Sequence, residues 1–214
     1  MGTAVSYAFL ETLSTPSIKA AQEAKGSGEF WAKFAGHRDF AGLTDAEAEF
    51  IAMRDSFYMA TVAENGWPYV QHRGGPPGFL RVLDSRTLAF ADFRGNRQYI
   101  SVGNLAANDR VALILMDYPG RRRLKLLGHI EVKDLETDVK LAQKIAITGY
   151  KARVERAMVI HLIAFDWNCP QHLTQRFTEA ELASVLTPIR DRLAALENEN
   201  NALRTQLAAD RSTA

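Results

Sequence analysis

GWPYVQHRGGPPGFL at 66–80, FADFRGNRQYIS at 90–101 and LMDYPGRRRLKLLG at 115–128 together decide the fold. In the last of them and its continuation, Leu124, Leu126, Ile130 and Val132 alternate with Arg123, Lys125, His129 and Glu131. Period-two alternation places these sets on opposite faces of a strand. Phe57–Ala63 is aromatic and β-branched and reads as a strand. Asn65-Gly66 follows as a tight turn, since both residues tolerate positive φ, and Trp67–Arg73 returns antiparallel. Gly74-Gly75-Pro76-Pro77-Gly78 is a loop, and Asp84-Ser85-Arg86 joins Phe79–Leu83 to Thr87–Ala91 in a second hairpin. Gly95-Asn96 precedes a helical stretch to about Ala106, and Val111–Met116 is a buried strand that turns at Asp117-Tyr118-Pro119-Gly120.

Outward from this run, Thr44-Asp45-Ala46-Glu47 is a capping box that opens a helix through about Arg54. Ser14-Thr15-Pro16 starts a short helix that ends by Gly26-Ser27-Gly28. Glu136–Thr148 reads as helix and Ala157–Trp167 as a long strand. Many antiparallel strands with few helices predict a mainly β (α+β) fold, an antiparallel β-barrel with satellite helices. The expected organisation is a peripheral extension at 1–43, the barrel domain at 44–177 and a C-terminal helix at 178–214.

Of 214 residues, 47% are hydrophobic, which makes the chain globular. With 26 basic and 25 acidic residues the net charge is +1, so whole-chain electrostatics argues for neither nucleic acid nor a membrane surface. Cys169 is the one cysteine; it excludes an intrachain disulfide and is expected to be a small buried thiol. No HExxH-like histidine pair exists, so no metal is expected. No basic segment precedes a long apolar run at the N-terminus, and the expected location is cytoplasmic.

Residues 178–210 have a different pattern. Leu186, Leu193, Asn200 and Leu207 fall at heptad position a, and Leu182, Ile189, Leu196 and Leu203 at d. A lone asparagine at a favours a parallel dimer, and the g-to-e′ pairs Arg192–Glu197 and Glu199–Arg204 are attractive. Thr187-Pro188 suggests the helix start, with proline at N1. The competing reading is an amphipathic helix on its own domain.

Arg73, Arg94, Arg97, Arg121, Arg122, Arg123 and Lys125 cannot all be buried unpaired, because carboxylates are sparse around them. Spacing alone leaves two readings, a solvated rim on a barrel mouth or an anion site suited to a phosphorylated, planar ligand. Guanidinium forks bind phosphate bidentately, and amides opening the 96–106 helix would add donors. There is no GxxxxGK[ST] and no GxGxxG before a long helix.

Together these segments resemble the pyridoxamine 5′-phosphate oxidase-like, FMN-binding split-barrel flavoproteins over about residues 45–177. GWPYVQHRGG is similar to the strand pair along the isoalloxazine, FADFRGNRQYIS to the phosphate-gripping segment, RRRLKLLG to the strand that reaches the partner subunit's flavin, and DWNCPQH at 166–172 to the C-terminal tryptophan segment. The resemblance implies a homodimer with FMN sites at its interface. It implies that Asn96, Arg97 and Gln98 hold the phosphate and that Ala91 and Asp92 adjoin the ribityl or phosphate arm. Gln71, His72, Arg73 and Gly74 would line the ring, Arg123, on the same strand face as Lys125, would cross the dimer, and Trp167 would pack at the flavin edge. His72 is the candidate proton donor; Arg73 and Arg123 are the candidate cations for negative charge developing at the ring. The Arg-x-His-x-Arg pattern of true pyridoxamine phosphate oxidases is not in register after Trp167, so the vitamin substrate is not implied. The expected activity is small-molecule redox chemistry with an electron donor such as NADH or NADPH. The alternatives are a non-catalytic flavin module and a barrel for another ligand such as haem or a deazaflavin.

Overall fold

The computed structural model describes residues 6–33 and 40–212. Its elements in chain order are β1 (Ser6–Tyr7), α1 (Phe9–Leu13), α2 (Pro16–Ala24), α3 (Gly28–Ala32), α4 (Asp45–Ala52), β2 (Ser56–Val62), β3 (Pro68–Gly74), β4 (Arg81–Asp84), β5 (Thr87–Phe93), α5 (Ile100–Ala107), β6 (Arg110–Asp117), β7 (Arg122–Lys133), α6 (Val139–Ile145), β8 (Val154–Asn168) and α7 (Glu179–Ser212). One compact unit ends at Leu173 and a second begins at Thr174.

The predicted alternation puts β7 at the middle of an antiparallel sheet of order β3-β2-β6-β7-β8-β5-β4, with β1 beside β8. Leu124 and Leu126 are fully buried, and Arg123 and Lys125 lie on the outer face. Val132, expected on the buried face, is exposed because it lies beyond the core near the end of the strand. The sheet is curled. Phe57 on β2 packs against Phe90 on β5 with ring centroids 5.2 Å apart, although β6, β7 and β8 separate those strands. Phe79, from the loop after β3, stacks on Phe57 at 5.5 Å. A flat sheet could not bring these rings together, so the fold is an antiparallel split barrel around an aromatic core. Each buried phenylalanine contributes roughly 1.5–3 kcal/mol.

Several local expectations are corrected. The tight turn expected at Asn65-Gly66 is a wider connection, from Val62 at the end of β2 to Pro68 at the start of β3, in which Gly66 takes positive φ (86°). The Asn65 side chain accepts from the Trp67 amide at 3.2 Å, so the loop is longer than a two-residue turn. Helix α6 begins at Val139 because Asp138 caps the Leu141 amide at 2.9 Å. The 1–43 segment is not wholly peripheral: β1 pairs with β8, and Phe9 packs in a cluster with Leu127 and Ala164 on the outer face. Helix α7 begins at Glu179, not at Thr187-Pro188, and carries Pro188 in its interior. The Thr178 hydroxyl and amide both donate to the Glu181 carboxylate, at 2.9 and 2.7 Å, and this capping box starts the helix.

The β7–β8 register shifts between Leu127 and Gly128. There a Cβ on Gly128 would stand 2.6 Å from the His161 carbonyl oxygen and 2.9 Å from Ile160 Cγ2. The obstruction is backbone in the most extensively paired region of the sheet. Gly128→Ala is therefore expected to destabilise the barrel by about 1–3 kcal/mol, read as a lower urea midpoint with an unchanged slope.

Candidate functional site

The end of β5 and the loop that follows it build a polar cleft. Arg97 (φ 63°) and Tyr99 (φ 53°) both adopt left-handed backbone, which non-glycine residues take at a cost. The Asn96 side-chain oxygen accepts from the Gln98 amide at 3.1 Å and fixes the bend between them. These left-handed residues move the helix start from the expected position near 96 to Ile100. Its first amides, on Ile100, Ser101 and Val102, belong to residues that line the cleft. The cleft encloses about 190 Å³ and is also lined by Gln71, Arg73, Asp92, Arg97, Gln98 and Glu155.

Charges in the cleft are arranged in two layers. At its base Arg73 donates to Asp92 at 2.7 Å, and Arg156 lies 3.6 Å from the same carboxylate. Glu155 accepts from Arg156 at 2.8 Å and from the Tyr99 hydroxyl at 3.1 Å, with Arg94 at 3.7 Å. Burial pushes the Asp92 carboxyl up; Arg73 and Arg156 pull against it, Glu155 adds to the rise, and the net displacement is upward. Above this layer Arg97 is exposed and has no carboxylate within ion-pair distance among the described residues. Ser101 is 2% exposed, and its Oγ, like Arg73 Nε, has no hydrogen-bond partner. Orphaned buried polar atoms, a free guanidinium and a helix N-terminus are the donor set an anion requires.

The structure divides the predicted site residues. Gln71, Arg73, Asp92, Asn96, Arg97 and Gln98 share the cleft. Strand alternation sends His72 to the outer face, where its ring lies edge-on to Tyr58 at 5.5 Å. Register there forms one row, His72–Tyr58–Ile114–Lys125–Asp166, and Lys125 is bound to Asp166 at 2.6 Å. Gly74 ends β3 opposite Ser56. Ala91 packs in a cluster with Leu141 and Ile145 of α6 and does not line the cleft. Arg123 donates to the Cys169 carbonyl at 2.5 Å, which clamps the turn after β8; Cys169 itself is exposed, contrary to expectation. Trp167 packs edge-on against Phe50 at 4.7 Å and donates its indole N–H to Glu47 at 2.7 Å. Tyr69, Ser101 and Glu155 line the cleft but were not foreseen. Period-two alternation with Gln71 and Arg73 would have found Tyr69.

The family model described as pyridoxamine 5′-phosphate oxidase matches residues 43–164, from the start of α4 through most of β8. The chain belongs to that family. The matched span contains every cleft residue. No curated protein matches the chain. Among solved structures, a protein related to general stress protein 26 from Clostridium acetobutylicum is 17% identical, with 64% of this chain and 94% of that one covered and a TM-score of 0.45. HupZ of Group A Streptococcus is 17% identical over 63% and 99% of the two chains, with a TM-score of 0.45. An FMN-binding protein from Syntrophomonas wolfei is 13% identical over 69% and 97%, with a TM-score of 0.41. No helix among the described residues is long and apolar enough to cross a membrane.

The Arg73–Asp92 pair gives an asymmetric expectation. Arg73→Met leaves a deeply buried carboxylate short of its nearest counter-charge and is expected to cost about 3–5 kcal/mol at neutral pH. Part of that loss should return on acidification, because a carboxyl with a raised pKa stabilises the fold when protonated and loses that contribution as pH rises. Asp92→Asn should cost less, since the Arg73 side chain is 18% exposed and can turn to water. Urea unfolding of both variants at neutral and mildly acidic pH compares them.

Glu47 behaves oppositely. Burial pushes its carboxyl up, but hydrogen bonds from Thr44 and Trp167 outweigh this and hold it below the ordinary value of 4.5. Its contribution is present above that value and disappears as pH falls through the lower, folded-state value. The melting temperature of the parent chain is therefore expected to fall more steeply below pH 4.5 than that of Glu47→Gln, measured by thermal unfolding across an acid series.

Proposed function

We propose that the chain is an FMN-binding flavoprotein, working as a homodimer, that carries out small-molecule redox chemistry. The observation that carries the reading is the set of residues lining the cleft within the family-matched span: Arg97, without a carboxylate partner among the described residues, Ser101, whose buried hydroxyl has no hydrogen-bond partner among them, and the first residues of α5. That set fits a phosphate monoester. Arg97 would bind it bidentately, with Ser101 and the helix N-terminus supplying further hydrogen bonds. Gln71 and Arg73, on the strand beside it, would orient the ring. Bound there, FMN supplies electron transfer at N5. Because Asp92 already neutralises Arg73, the less neutralised cation is Arg123, which is bound to backbone carbonyls.

Two features support a dimer. The cleft, at about 190 Å³, is smaller than the roughly 300–1,000 Å³ of a complete small-molecule site, so further walls are needed. His72, Arg123 and Lys125 lie together on an outer sheet face that also exposes Tyr58 and Val70. In a dimer formed through this face, they would serve the partner's ligand, with His72 as the proton donor.

The test is the visible spectrum of purified protein with the released chromophore identified by mass. Flavin bands and FMN at about one per chain support the reading. Colourless protein that takes up no added FMN overturns it, and a Soret band or a deazaflavin identifies another ligand. Arg97→Ala is expected to weaken FMN binding roughly ten- to a hundredfold, the loss of a charge-assisted hydrogen bond. Ser101→Ala should weaken it less, and the distant control Arg211→Ala not at all. Full FMN retention by Arg97→Ala would remove the phosphate assignment. Multiple turnovers with NADH or NADPH separate an enzyme from a flavin-binding module.

A further inference from the structure

We infer that α7 is one half of a parallel, in-register coiled coil whose other half is the α7 of a second copy of this chain. The helix is continuous over 34 residues, about 50 Å long, and every described residue of it through Arg211 is exposed. Its apolar side chains form a seam rather than a scatter. Leu182, Leu186, Ile189, Leu193, Leu196, Leu203 and Leu207 occupy d and a positions, with Asn200 at the a position between Leu196 and Leu203, and Ile189 and Leu207 are each 60% exposed. A helix this apolar along one line buries nothing within its own unit, and the regular four-three spacing matches knobs-into-holes packing.

The true helix start lengthens the seam. With the Thr178–Glu181 box as N-terminus, Leu182 and Leu186 join the same helix as the rest, giving four a and four d positions. Pro188 does not break it. Proline falls at position c, away from the seam, and the Ser184 carbonyl that loses its amide donor faces water. Thr187 Oγ donates to the Ala183 carbonyl at 2.8 Å beside it.

Polar positions identify the occupant as a second copy in parallel. Asn200 at a meets its own counterpart in a parallel pair, where the two amides satisfy each other; in an antiparallel pair a faces d, and Asn200 would be buried against leucine. The g-to-e′ pairs Arg192–Glu197 and Glu199–Arg204 are both attractive, and the remaining ones, Val185–Arg190 and Gln206–Arg211, carry no like charges. The inference is independent of the flavin reading.

The experiment uses the full chain with Cys169→Ser, which removes the native thiol, and Leu203→Cys near one end of the seam. Under mild oxidation most chains are expected to form a disulfide-linked dimer, because in-register parallel helices place the two introduced thiols opposite one another. Leu203→Cys chains that remain monomeric on a non-reducing gel overturn the inference. So does cross-linking that occurs only between Leu186→Cys and Leu203→Cys chains, the antiparallel outcome. Arg192→Glu should weaken the pairing and Arg192→Glu with Glu197→Arg should restore it, read as the concentration dependence of helix melting. Failure of the charge swap to restore pairing also counts against the register. The α7 substitutions lie in the second unit, which begins at Thr174, and flavin content is compared with that of the Cys169→Ser parent, from which it should not change.

Discussion

The Arg73–Asp92 ion pair holds together the base of the cleft. Arg73 belongs to β3, first in the sheet order, and Asp92 to β5, next to last. Their contact at 2.7 Å exists only because the sheet has curled through five intervening steps of strand pairing. Hydrophobic burial supplies the curl, through Phe57, Phe79 and Phe90 meeting inside. The ion pair then fixes where the two margins stand. It is a costly device, since desolvation pushes the Asp92 carboxyl upward despite two guanidinium neighbours. A barrel needing only stability could have filled this space with aliphatic side chains. Charge retained there gives the cleft a rigid polar floor.

Above that floor the backbone itself is strained. Left-handed conformations at Arg97 and Tyr99 are held by the Asn96–Gln98 bond below and by contacts of the Tyr99 ring and hydroxyl with Arg156 and Glu155. Glu155 and Arg156 are neighbours on β8, so these contacts tie the loop to the barrel. The result is that an arginine lacking a counter-charge and the opening of α5 face the same cleft. Such over-determined strain is characteristic of binding sites, where preorganised donors avoid the cost of ordering when the ligand arrives.

Much of this was legible in the sequence, and the limits have physical causes. Strands showed because a curled sheet has an inside and an outside, and the side chains of β7 and β2 record the difference. The first capping box showed because it is local: Thr44 and Glu47 are three residues apart. Its second function did not, because Trp167 meets Glu47 across 120 residues of chain. The start of α5 was misread because positive φ is ordinarily assigned to glycine or asparagine, while here arginine and tyrosine adopt it under tertiary constraint. For α7 the sequence reading took Thr187-Pro188 as the start signal. Thr187-Pro188 is not that start, because proline inside an exposed helix forfeits one solvated hydrogen bond, while the Thr178–Glu181 box satisfies otherwise orphaned amides. Ser101 carried no sequence signal; an ordinary serine became notable only when burial left its hydroxyl without a partner.

The predicted site residues sort by face, and the sorting has a consequence. Consecutive residues of one strand cannot point the same way, so Gln71 and Arg73 enter their own cleft while His72 faces out. A ligand gripped solely by one chain would leave His72, Arg123 and Lys125 without a role in the site. A two-chain site uses both faces of β3 at once, the inner one for the chain's own ligand and the outer one for its neighbour's. In the proposed dimer a strand of seven residues would contribute polar side chains from both of its faces. Arg123 is tied to carbonyl oxygens rather than to a carboxylate: the turn after β8 fixes its orientation without neutralising its charge.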